Sequence, residues 1–138
     1  MYSSLLNNVS KSALIKHAKT KSAATNYLEN DPPPQKAIII TDEGVTQNPN
    51  TPLLRKIKTY TESGGLVIVG LHFPSYTAKN LIDNFFADFG LSWKAGAYQR
   101  DTFQLNPSSV LPDSVTSSTS LFPGPYSMKA LHIQHAQP

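Results

Sequence analysis

Residues 53–70 read Leu-Leu-Arg-Lys-Ile-Lys-Thr-Tyr-Thr-Glu-Ser-Gly-Gly-Leu-Val-Ile-Val-Gly, and no other part of the chain restricts the fold as much. Leu53, Leu54, Ile57 and Tyr60 recur at helical spacing, while Arg55, Lys56, Lys58 and Glu62 fall mostly on the opposite side. Thr51 suits the cap of this helix and Pro52 its first turn, where a missing N–H is not needed. Gly64 and Gly65 offer the left-handed backbone that closes a helix. Leu66, Val67, Ile68 and Val69 then run without polar alternation, the pattern of a parallel strand covered on both faces. A helix followed by such a strand points to an α/β sheet protein.

The preceding and following segments extend the pattern. Residues 3–9 suit a short helix, residues 13–18 a strand centred on Leu14 and Ile15 or part of a longer helix, and residues 20–30 a second helix. Asp31-Pro32-Pro33-Pro34 stops that helix. Ala37-Ile38-Ile39-Ile40 is β-branched and apolar enough for a strand, and it runs into the polar turn Thr41-Asp42-Glu43-Gly44. After Gly70 the residues Leu71-His72-Phe73-Pro74-Ser75 form another strand-end turn. Ser75 or Thr77 is placed to cap a helix carrying Leu81, Ile82, Phe85, Phe86 and Phe89, with Gly90 at its end. Strand, helix, strand, helix, strand, helix predicts right-handed crossovers. The expected fold is α/β: three layers, a mainly parallel sheet with helices on both faces, flavodoxin-like or amidotransferase-like.

The last third departs from that rhythm. Residues 97–105 and 127–133 suit strands, and residues 106–125, rich in Ser, Thr and Pro, read as an exposed excursion within one domain spanning 1–138. The chain enters on a helix and stops just after a strand. The sheet is therefore expected to be incomplete at both ends, as in a fragment, or completed by a homo-oligomer or a partner chain.

Composition removes several chemistries. The absence of cysteine excludes disulfides, thiolate metal ligands and a cysteine nucleophile together. No secretory leader or spanning segment is expected, which makes the cytoplasm the default compartment and a membrane partner unexpected. The net charge of +3 is uneven: residues 1–60 carry eight Lys/Arg against four Asp/Glu, and residues 61–138 four against five. Lys11, Lys16, Lys19 and Lys21, with His17, form a basic cluster. It lacks the aromatic stacking groups of a nucleic-acid site, so a solvated lysine face is expected and nucleic acid is not.

The helix, Gly64-Gly65 and strand, together with Ala37-Ile38-Ile39-Ile40-Thr41-Asp42, resemble the region around the nucleophile strand of the class I glutamine amidotransferase-like superfamily. With Phe85-Phe86, Phe89-Gly90-Leu91-Ser92-Trp93-Lys94 and Tyr98-Gln99-Arg100, the likeness extends to the ThuA-like relatives and uncharacterised fungal members of that group. It covers roughly residues 13–105 and implies the fold rather than the activity. Working members place a cysteine, partnered by a histidine, on the turn after this strand. Here that turn reads Gly70-Leu71-His72-Phe73, so cysteine-dependent amidotransferase activity is excluded.

Ligands of parallel α/β sheets gather outside the strand carboxyl ends. Asp42 and Glu43 follow one strand and His72 follows the next, so a carboxylate orienting an imidazole that activates water is one arrangement open to this chain. In the other, Asp42 caps a turn and His72 is a partly buried polar side chain. Ligand-contacting candidates are Gly44, Gly70, Ser75, Tyr98 and Arg100. Ser75 lacks the Gly-x-Ser-x-Gly context of a nucleophile. His132 and His135 would point to opposite faces of a strand, so no metal site is expected, and no cofactor. Three functions fit these residues: a non-catalytic domain for binding or assembly, a hydrolase using Asp42, Glu43 and His72, and a basic-faced interaction module.

Overall fold

The computed structural model describes residues 2–30, 37–47, 51–106 and 124–136. Its centre is a strand–helix–strand unit built from β1 (Ala37–Ile40), α3 (Pro52–Glu62) and β2 (Leu66–Val69). Thr51 is extended and its Oγ1 accepts the Leu54 N–H at 3.2 Å, while Pro52 opens the helix. Leu53, Leu54 and Ile57 are buried along one side of α3. The helix ends where Gly64 turns left-handed at φ 87°, a backbone that a side chain resists, and the Gly65 N–H reaches back to the Tyr60 carbonyl. A Cβ on Gly65 would run into the Tyr60 ring, so the chain reverses flat against that tyrosine. β1 and β2 then pair in parallel, Ala37 opposite Leu66 through Ile40 opposite Val69.

Two helices precede this unit, α1 (Ser3–Val9) and α2 (Lys21–Asn30), and the second packs along α3 with Glu29 and Lys56 paired at 2.9 Å. After β2 come the single turn α4 (Phe73–Tyr76), the helix α5 (Lys79–Asp88) and a hairpin of β3 (Lys94–Phe103) with β4 (Tyr126–Gln134). Phe73, Ile82, Phe85 and Phe86 join the buried residues of α3 and Ile40 in one core. Trp93 meets Phe86 edge-on at 5.4 Å, and Ala95 and Leu131 bring the hairpin onto the same core. Asp83 of α5 clamps the start of β3: its Oδ1 accepts the Ala95 N–H at 2.7 Å and its Oδ2 lies 3.7 Å from Lys94 Nζ.

The expected three-layer, mainly parallel sheet is not what forms. The described strands make two separate two-stranded sheets, parallel β1–β2 and antiparallel β3–β4. Three physical reasons account for the difference. Residues 13–18 are not a strand: Leu14 is 87% exposed and only Leu14 and Ile15 are large and apolar there, too little burial to offset the ordering of a strand. β3 and β4 return antiparallel because a parallel return needs a long crossover, usually a helix, and residues 104–125 contain no apolar helical stripe. Finally, among the described residues no helix covers the outer side of β1–β2. Ile38, Ile40 and Val67 turn toward the core, but Ile39 (44%), Leu66 (55%) and Ile68 (44%) stay exposed. Most of the excursion expected at 106–125 lies outside the described residues.

One cap also differs. Ala78 occupies the cap position of α5 without a side-chain bond, while Ser75 sits inside α4 and the Thr77 hydroxyl is buried with no hydrogen-bond partner among the described residues.

Candidate functional site

The carboxyl ends of β1 and β2 stay joined beyond the strands. Gly70 N–H donates to the Ile40 carbonyl at 3.1 Å and His72 N–H to the Thr41 carbonyl at 3.0 Å. The turns carrying Asp42, Glu43 and His72 are therefore neighbours, and this follows directly from the parallel register.

Their side chains are engaged separately. Asp42 is extended and caps a 3-10 turn over Glu43–Thr46: its Oδ1 accepts the Gly44 N–H at 2.9 Å, and its Oδ2 accepts the Thr41 hydroxyl at 3.2 Å. Gly44 suits that bond, since a Cβ there would lie 2.9 Å from Asp42 Oδ1. Glu43 offers its carbonyl to the Thr46 hydroxyl at 2.8 Å. The His72 ring lies half-buried between two tyrosines, edge-on to Tyr2 at 5.1 Å and to Tyr76 at 5.3 Å. No hydrogen bond or ion pair joins Asp42 or Glu43 to His72, and among the described residues no three His, Asp or Glu side chains gather as metal ligands.

Between the strand and α4 lies a conformational outlier. Leu71 has φ 60°, a left-handed backbone that an L-residue with a branched side chain adopts at a cost. This is the sharp strand-to-helix step on which a nucleophile would be presented. Gly70 beside it has open space where a Cβ would stand. Ser75 is exposed, one turn further on in α4, with its N–H bonded to the His72 carbonyl at 3.1 Å. Tyr98 and Arg100 share one face of β3 in the antiparallel sheet, where Lys129 Nζ stands 5.1 Å from the Tyr98 ring. They do not belong to the β1–β2 sheet.

The sequence reading missed two groupings. Tyr2 meets His72 from 70 residues away in the chain, and no local pattern signals that contact. On the hairpin, His132 stacks near Phe103 at 5.6 Å with its Nε2 3.9 Å from Asp101 Oδ2 and no hydrogen bond. Phe103 pairs with Tyr126, six residues before His132, so the register of the ladder does not signal this contact.

Compared with known proteins, the chain matches no family model, no curated protein and no solved structure. Among the described residues no helix is long and apolar enough to cross a membrane.

Proposed function

We propose that this chain is a non-catalytic binding and assembly domain whose outer β1–β2 face is closed by a second copy. One observation carries the reading: a parallel strand pair, which ordinarily has cover on both sides, exposes Ile39, Leu66 and Ile68 together. In the parallel register Ile39 stands beside Ile68 and Ala37 beside Leu66, so the four side chains form one continuous apolar strip. The strip carries no charged side chain, so two copies bring no like charges into direct contact there. The turns at the strand ends support the non-catalytic part. The Asp42 carboxylate is used as a cap, and the left-handed step holds an aliphatic Leu71. The likeness to the class I glutamine amidotransferase-like superfamily is consistent with this reading, because the turn that bears the cysteine in working members is Leu71-His72 here.

The test is sedimentation equilibrium over a range of concentrations, with Ile39→Lys and Ile68→Lys as variants. Both side chains are exposed, so a lysine is tolerated in the isolated fold. The wild-type chain is expected to dimerise and both variants to remain monomeric with unchanged circular dichroism. A wild-type chain that stays monomeric throughout would refute the assembly.

A further inference from the structure

The positive charge and Leu14, the most exposed large apolar side chain among the described residues, lie in the same part of the molecule. Residues 1–28 contain four lysines and no carboxylate, whereas the rest of the chain holds eight basic residues against nine acidic ones. The whole net positive charge therefore belongs to this first segment. It also contains a helix without a core side: α1 has no buried residue, and Leu5 and Leu6 are both exposed. A helix of seven residues is marginal in water and draws its stability from whatever its apolar side is packed against. Leu14 and Ile15 follow in an irregular stretch, Leu14 almost wholly in solvent, with Lys11, Lys16, His17 and Lys19 around them. The stretch ends at Thr20, whose Oγ1 accepts the Ala23 N–H and starts α2.

We infer that residues 2–21 dock on an anionic phospholipid surface, with Leu5, Leu6, Leu14 and Ile15 entering the headgroup boundary and the lysines reaching lipid phosphates and carboxylates. Exposed aliphatic groups interleaved with lysines, free of any carboxylate, are the composition that such a surface selects. Two other polyanions fit less well. A nucleic acid is held through arginine forks and stacked bases, but the segment has no arginine. Its one tyrosine, Tyr2, is also engaged, edge-on against His72. An acidic protein requires a shaped, complementary surface, whereas a lipid boundary accepts aliphatic side chains in any arrangement. The inference concerns lying on a membrane, not crossing it, and is independent of the β1–β2 face.

Co-sedimentation of the full chain with vesicles tests it, using phosphatidylcholine alone against equimolar phosphatidylcholine and phosphatidylserine. Binding is expected only to the second, falling steeply with salt. Lys11→Gln and Lys19→Gln are each expected to weaken it roughly five-fold. Leu14→Ser is expected to weaken it several-fold while leaving the salt dependence unchanged. All three positions are exposed, and circular dichroism confirms that each variant is folded. Absence of binding to the anionic vesicles, equal binding to both compositions, or indifference to all three substitutions would each overturn the inference. Displacement from vesicles by stoichiometric single-stranded polynucleotide or polyglutamate would overturn it too, assigning the segment to a soluble polyanion.

Discussion

Gly64 and Gly70 flank the same four-residue strand, yet only one of them needs to be glycine. Gly64 has φ 87° with nothing within 4 Å of the place a Cβ would occupy, so any cost of Gly64→Ala is backbone strain alone. Chemical denaturation should show a loss of about 1 kcal/mol. Gly70 has equally open surroundings and no left-handed backbone. Gly70→Ala should leave stability unchanged or raise it by up to about 1 kcal/mol, because alanine restricts the unfolded chain. Equal losses at the two sites would contradict the backbone argument. Thr77 offers a second contrast. Its hydroxyl is buried and unbonded, so the side chain loses its hydration without recovering a hydrogen bond. Thr77→Val keeps the shape and removes the unsatisfied oxygen, and is expected to stabilise the protein by about 1 kcal/mol. A destabilised valine variant would show that the hydroxyl has a partner in solution.

At the scale of elements, the sequence is informative wherever a segment specifies itself. α3 carries its own cap, first-turn proline, apolar stripe and glycine stop, and it forms over Pro52–Glu62 as those signals require. Thr51→Ala removes the bond to the Leu54 N–H and is expected to cost about 1 kcal/mol, whereas Thr51→Ser should retain most of it. Guanidinium unfolding midpoints decide the matter, and equal midpoints for the two variants would contradict the capping argument. The parallel pairing of β1 and β2 was also legible, since both are short, apolar and linked by a crossover helix. What the sequence could not convey was where a strand finds its neighbour. Leu14-Ile15 has the composition of a strand centre but no pairing strand among the described residues, and residues 97–105 do not reveal whether they join the parallel pair or fold back on β4. The same limit applies at the strand ends. Adjacency of the Asp42 and His72 turns followed from pairing, but the separate use of the side chains depends on Thr41, Gly44, Tyr2 and Tyr76. The last two are contacts of packing, not of pattern.

At the scale of the whole molecule, the described residues form two small sheets, neither of which is large enough to be stable alone. Their cohesion comes from α5, which supplies Ile82, Phe85 and Phe86 to the core beneath β1–β2 and holds β3 through Asp83 and Trp93. If that shared core is what makes the hairpin fold, the two sheets must unfold together. Trp93, the only tryptophan in the sequence, stands at the seam and reports the hairpin side by fluorescence, while far-UV circular dichroism is dominated by the helices. Both signals are expected to give one thermal midpoint. Ile82 is 1% exposed, and Ile82→Ala should cost about 2–5 kcal/mol and lower both midpoints together by on the order of 10 °C. An early fluorescence transition that leaves circular dichroism unchanged would mean that the hairpin is only loosely attached. The fold would then be a β1–α3–β2 unit with an appended ribbon, rather than one cooperative structure.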